Sequence, residues 1–194
     1  MKHTSRIKSC AVVGLDPIIV DVETDFFHGT HKFNIVGLPD AAIKESQQRV
    51  GSALKNSGAI PPYRLGVVIV NLAPADLKKE GAVYDLPIAV GIFAASSQIP
   101  HDLPILKESL FVGELALDGQ LRGINGILPI VLSAKKRGIK NIFLPEINAR
   151  ETSIIKGLNI YPVFALEQLI CHFNGELEIV PYRPAENFFW KRNE

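Results

Sequence analysis

Arg64-Leu-Gly-Val-Val-Ile-Val-Asn-Leu72 carries Leu65, Val67, Val68, Ile69 and Val70 in a nearly unbroken apolar run. A run of that length predicts a strand, and the lack of alternation predicts a central one covered on both sides. The sequence after it sets the class. A charged loop over 73–84 leads to Asp85, a fit N-cap for a helix reaching about Gln98. Leu86, Ile88, Val90, Ile92 and Phe93 surround that helix, so it should be buried nearly all round. Pro87 is compatible, because it falls in the first turn.

Upstream, 6–13 and 18–25 read as strands separated by Gly14-Leu-Asp-Pro17. In the second, Val20, Val22 and Thr24 alternate with Asp21, Glu23 and Asp25, the period of a half-exposed strand. Lys32–Val36 is a third strand. Asp40 then caps a helix with Ala42, Ile43, Val50, Ala53 and Leu54 on its apolar face. Lys44, Glu45, Gln48, Arg49 and Lys55 fall largely on the opposite face. Gly58 and Pro61-Pro62 stop the helix.

Downstream, 110–115 and 120–123 read as strands around the turn pair Asp118-Gly119. Helix 127–137, strand 139–143, helix 146–156, strand 159–163 and helix 166–173 follow in alternation. Strands in series and then strict alternation predict an α/β (α+β) domain with a mixed sheet and packed helices. Residues 1–174 form that domain. The tail 175–194 has Pro181, Pro184, Phe188, Phe189 and Trp190 with little periodicity, as at an interface or linker.

Composition narrows the function. The 194 residues suit one domain, and 47% hydrophobic with 21% charged residues is an ordinary globular balance. Twenty-one basic and 20 acidic residues leave a formal charge of +1, too little for a whole-molecule field toward DNA or anionic membranes. The two cysteines, Cys10 and Cys171, cannot form a disulfide framework and suit a reducing cytoplasm. The basic N-terminus lacks a signal-peptide core, and the uncharged run 86–100 is shorter than the roughly 20 apolar residues of a membrane span. A cytoplasmic protein without a membrane partner is expected.

No G-x-x-x-x-G-K-[ST] and no G-x-G-x-x-G occurs, so ATP and NAD have neither of their usual loops here, and no cofactor is expected. His28 and His31, three apart, and the pair Cys171-His172 fall short of a metal pattern. Two basic clusters remain. Lys78 and Lys79 occupy the loop before the buried helix. Lys135, Lys136 and Arg137, with Lys140 nearby, end a helix. They are the candidate nucleic-acid or partner contacts, although cations at a helix C-terminus also complement its dipole.

Five stretches in order resemble a known family: Phe33-Asn-Ile-Val-Gly-Leu-Pro-Asp40, Val70-Asn-Leu-Ala-Pro-Ala-Asp-Leu77, Lys79-Glu-Gly81, Asp85-Leu-Pro-Ile-Ala89 and Phe111-Val-Gly-Glu-Leu-Ala-Leu-Asp-Gly119. They are similar to the N-terminal, ChlI-type domain of magnesium-chelatase-like AAA+ ATPases of the ComM/YifB kind. The resemblance runs from about Ser5 to Phe173. It implies a fold like the second domain of ribosomal protein S5, shared with the proteolytic domain of Lon.

Lon-type peptidases use a serine activated by a lysine. By the resemblance, the serine position here is Asp85 and the lysine position Leu128. No Ser, Thr or Cys occurs from Gly58 to Ala95, and no Lys from Gly119 to Ala134. The implied function is therefore a non-catalytic accessory domain of a ring ATPase that processes DNA, as in branch migration during natural transformation. Its implied partners are its own AAA+ domain, like subunits and DNA, with ATP and Mg confined to that AAA+ domain, whose linker would begin near Glu194. A degenerate peptidase and a free-standing binding protein are the alternatives.

Overall fold

The computed structural model describes residues 4–13, 16–100 and 102–184. His3, His101 and the aromatic stretch Phe188–Trp190 lie outside the described residues. A long hairpin opens the fold, with β1 (Thr4–Val13) antiparallel to β2 (Asp16–Phe27). There follow β3 (Lys32–Val36), α1 (Ala41–Asn56), α2 (Pro62–Leu65), β4 (Val67–Ala73) and α3 (Asp85–Ala95). Next come α4 (Pro104–Glu108), β5 (Ser109–Phe111), β6 (Glu114–Leu115), β7 (Leu121–Arg122) and α5 (Ile127–Lys136). The chain then passes through β8 (Asn141–Pro145), α6 (Glu146–Thr152), β9 (Asn159–Val163) and α7 (Leu166–Phe173).

Seven strands form one mixed sheet in the order β3-β4-β2-β1-β5-β8-β9. Only the pairings of β2 are antiparallel; β3 with β4, and β1, β5, β8 and β9 in turn, pair in parallel. The α/β mixed sheet with packed helices is the expected class. Residues of α1, α3 and α7 share one core with the inner faces of β2, β3 and β4. Residues of α5 and α6 build a second core on the other side, against Cys10, Leu110, Ile142 and Ile160.

Helix α3 is the centre of the first core, and every residue from Asp85 to Ala95 is buried. Gly91 lets it lie close on the sheet: a Cβ there would come within 2.5 Å of Thr24 Oγ1. The Ser5 hydroxyl fastens the approach by donating to Gly91 O at 2.8 Å.

Three expectations need correction. Strand β4 is covered on one side only, since Val67, Ile69, Asn71 and Ala73 alternate half-exposed with buried Val68, Val70 and Leu72. Its unbroken apolar run misled because β4 lies next to the sheet edge, while α5 packs over β1 and β2. The stretch 110–115 is two strands. The chain leaves the sheet after Phe111 so that Gly113 can accept from Leu86 N–H and donate to Val83 O, both at 3.0 Å. Asp85 does not cap α3: Tyr84 takes the N-cap position without a side-chain bond, and the Asp85 carboxylate points to other elements.

Candidate functional site

The five stretches that carry the family resemblance meet at one end of the sheet, around the start of α3. Asp40 is the first joint. Its Oδ1 accepts Ile43 N–H at 2.8 Å and caps α1, as its position predicts, while Oδ2 accepts Gly81 N–H at 3.1 Å. Lys79 N–H donates to Leu38 O, and Asp40 N–H donates to Lys79 O. The Lys79 ammonium donates to Gly37 O at 3.1 Å and also to Pro74 O. The loops after β3 and β4 are thereby clasped together.

Lys79 is thus not free to reach a partner. Its side chain is buried, and burial lowers its pKa below the ordinary lysine value. Flexible loop lysines commonly extend into water, but here the two facing carbonyl groups needed a donor. Lys78, its neighbour, is exposed and pairs with Glu80 at 2.7 Å.

Asp85 is the second joint, fully buried. Oδ2 accepts Arg49 Nε–H at 2.8 Å and Leu115 N–H at 3.2 Å. Oδ1 accepts the Ser46 hydroxyl and Arg49 Nη2–H at 3.2 Å. Burial pushes the Asp85 carboxyl upward, while the bonds from Arg49, Ser46 and Leu115 pull it down. Arg49 also donates to Ala42 O at 3.0 Å and pairs with Glu45 at 3.8 Å. The sequence put Arg49 on the outer face of α1, but its side chain turns inward to the carboxylate. Ser46 was the readable clue, since it lies one turn from both Ile43 and Val50 on the apolar stripe.

Chemically, this centre is closed. Both carboxylate oxygens are occupied, and Ser46 is buried with its proton directed at Asp85. The carboxylate that faces this hydroxyl is itself held by Arg49 and by the Leu115 amide. Leu128, at the lysine position implied by the resemblance, lies in the first turn of α5.

The remaining candidates lie apart. Lys135, Lys136 and Arg137 are exposed at the C-terminal end of α5, on the opposite side of the sheet from α1 and α3. The fold does not join them to Lys78. His31 Nδ1 lies 2.7 Å from Tyr63 O. Among the described residues no group of three or more His, Cys, Asp or Glu side chains is placed to hold a metal ion. No helix among them is long and apolar enough to cross a membrane. A hollow of about 460 Å³ opens over β1, β2 and β4, where Glu23 accepts from Arg6 at 2.6 Å and from Asn71 at 3.0 Å.

His172 is fixed for structure. Its Nδ1 accepts Ile179 N–H at 3.1 Å, and its ring lies 5.2 Å from that of Phe173 and 5.9 Å from that of Phe143. Burial holds its pKa below the usual value near 6.5. The unfolded chain therefore takes up this proton first, so the contribution is present above about pH 6.5 and is lost as pH falls. Denaturant unfolding at pH 7 and pH 5 should show a smaller loss in His172→Gln than in the parent, by up to about 1.4 kcal/mol per pH unit. Equal losses would remove His172 from the acid response.

Fold and site together define a mixed-sheet α/β domain whose signature residues make a closed structural clasp. Residues 22–148 match the model of the family described as subunit ChlI of Mg-chelatase, and the chain belongs to that family. It is 42% identical over 170 residues to the competence protein ComM of Haemophilus influenzae, covering 88% of this chain and 32% of that protein. It is 40% identical over 182 residues to the uncharacterized protein YifB of Escherichia coli, covering 94% of this chain and 35% of that one. A Lon protease of Brevibacillus choshinensis is 24% identical over 163 residues, 79% of this chain and 20% of the protease. The chain spans about a third of the length of its ComM and YifB relatives.

Proposed function

We propose that this chain is a non-catalytic accessory domain of a ComM/YifB-type AAA+ ATPase, serving subunit assembly or the guidance of DNA or a partner. The observation that carries the reading is the Asp85 centre. At the position where the Lon resemblance calls for a nucleophile, there is a carboxylate with both oxygens bonded to α1 and to the Leu115 amide. Such a centre holds elements in place and leaves no group free to attack a carbonyl. ATP turnover and Mg²⁺ belong to the ATPase domain in this reading, and the working location is the cytoplasm.

Lys78, Lys135, Lys136 and Arg137 are the groups available for phosphate contact, with Lys79 withdrawn by its burial. Lys78 lies apart from the α5 cluster, so these residues form two separate small patches. Binding strength would come from many such patches across a ring. The test is alanine replacement of these four residues in the full-length ATPase, with DNA affinity followed against salt. A weaker affinity and a shallower salt slope are expected. An unchanged affinity and slope would refute DNA guidance by these residues. Stoichiometric labelling of the purified domain by an active-site serine probe would refute the non-catalytic reading.

A further inference from the structure

Strand β3 closes one end of the sheet. It pairs with β4 in parallel, and Lys32 N–H donates to Gly66 O at 3.0 Å. In a parallel ladder alternate residues direct both backbone groups to the same neighbour. Lys32, Asn34 and Val36 therefore face β4, and Phe33 and Ile35 turn their N–H and C=O groups outward. Those groups have no partner among the described residues. An open edge of this kind is a template for another strand.

Beside the start of this edge lies a hollow of about 160 Å³, walled by Phe33, Gln47, Gly51, Pro62 and Tyr63. It exists because α1 has glycine where a side chain would project. A Cβ on Gly51 would meet nothing within 4 Å, so no tight packing demands the glycine. Mid-helix glycine weakens a helix relative to alanine. The rim is mostly basic: Lys32 lines the hollow, Lys44, Lys55 and Arg64 are exposed one turn or one residue from its walls, and the one carboxylate at that distance, Glu45, pairs with Arg49 at 3.8 Å. No carboxylate lines it.

We infer that the β3 edge is a docking site for an extended, acidic peptide segment of a partner protein. The segment adds as an eighth strand through the outward groups of Phe33 and Ile35 and seats one bulky apolar side chain over Gly51. Edge pairing supplies affinity, and the hollow with its basic rim supplies selectivity. The inference is independent of the role proposed for Lys78 and the α5 cluster.

The probe is a randomised octapeptide display library selected against the whole chain, with enriched peptides resynthesised carrying a fluorophore. One family should emerge, with an aromatic or aliphatic residue at a fixed position between Asp or Glu residues. Its affinity should fall about tenfold or more on the Gly51→Leu chain, and equally when the peptide amides facing β3 are N-methylated. The Phe33 and Ile35 amides should gain hydrogen-exchange protection on binding. Gly51→Leu should melt no lower than the parent, so that the loss reads as a filled hollow. Lys32→Glu tests the rim in a chain whose hollow is intact, and should weaken the acidic family. Failure to enrich any family would overturn the inference. So would peptides that bind Gly51→Leu, or bind in N-methylated form, as well as before.

Discussion

Asp85→Ala should lower the unfolding free energy by about 3–5 kcal/mol, the cost of leaving a largely buried charge without its partner. Arg49 has only 20% of its side chain in water, and its Nε and Nη2 groups would lose the carboxylate. The Leu115 N–H would be stranded with it, while the Ser46 hydroxyl would keep Ala42 O at 3.4 Å and Arg49 Nη2 at 2.9 Å. A simple N-cap would cost about 1 kcal/mol, so the size of the effect separates the two roles. Denaturant unfolding of the single variants and of Asp85→Ala with Arg49→Ala measures it. The double variant should lose less than the two single losses added together, because the pair acts as a unit. Additive losses would show that the ion pair does not hold α1 to α3.

Phe143→Ala should cost a similar amount, about 3–5 kcal/mol. Phe143 is the middle ring of a stack, 4.8 Å from Phe111 and 4.5 Å from Tyr161, nearly parallel to both. Phe173 leans on it from α7 at 5.6 Å. One truncation therefore opens a cavity shared by β5, β8, β9 and α7. Phe143→Leu should recover most of the loss by filling volume without stacking. Equal stability of the alanine variant and the parent would mean that this side of the sheet draws no strength from the rings.

The residues that seal the Asp85 centre were harder to read than the elements that carry them. Asp85 was visible as the first residue of an apolar helix, and its position suggested a cap because a linear pattern contains local partners alone. Its actual partners, Ser46, Arg49 and the Leu115 amide, lie 30 or more positions away. Arg49 misleads in particular: its helical position points outward, but a long side chain can bend back along its own helix. Lys79 misleads for the same reason, since a lysine in a charged loop gives no sign that two carbonyl groups from separate loops will enclose it.

The sequence by itself determined most of the strands and helices in order, apart from α2, α4 and the division of 110–115 into β5 and β6, together with the α/β class, the all-round burial of α3 and the Asp40 cap of α1. Each follows from periodicity or from chemistry within one or two turns of chain. The family signature was also readable, as five ordered stretches. Tertiary structure alone decided that those stretches converge on one closed clasp, that β4 is open on one side and that β3 has a free edge. Those outcomes depend on which strands become neighbours in the order β3-β4-β2-β1-β5-β8-β9. That order is set by burial summed over the whole sheet, and no local pattern along the chain records it.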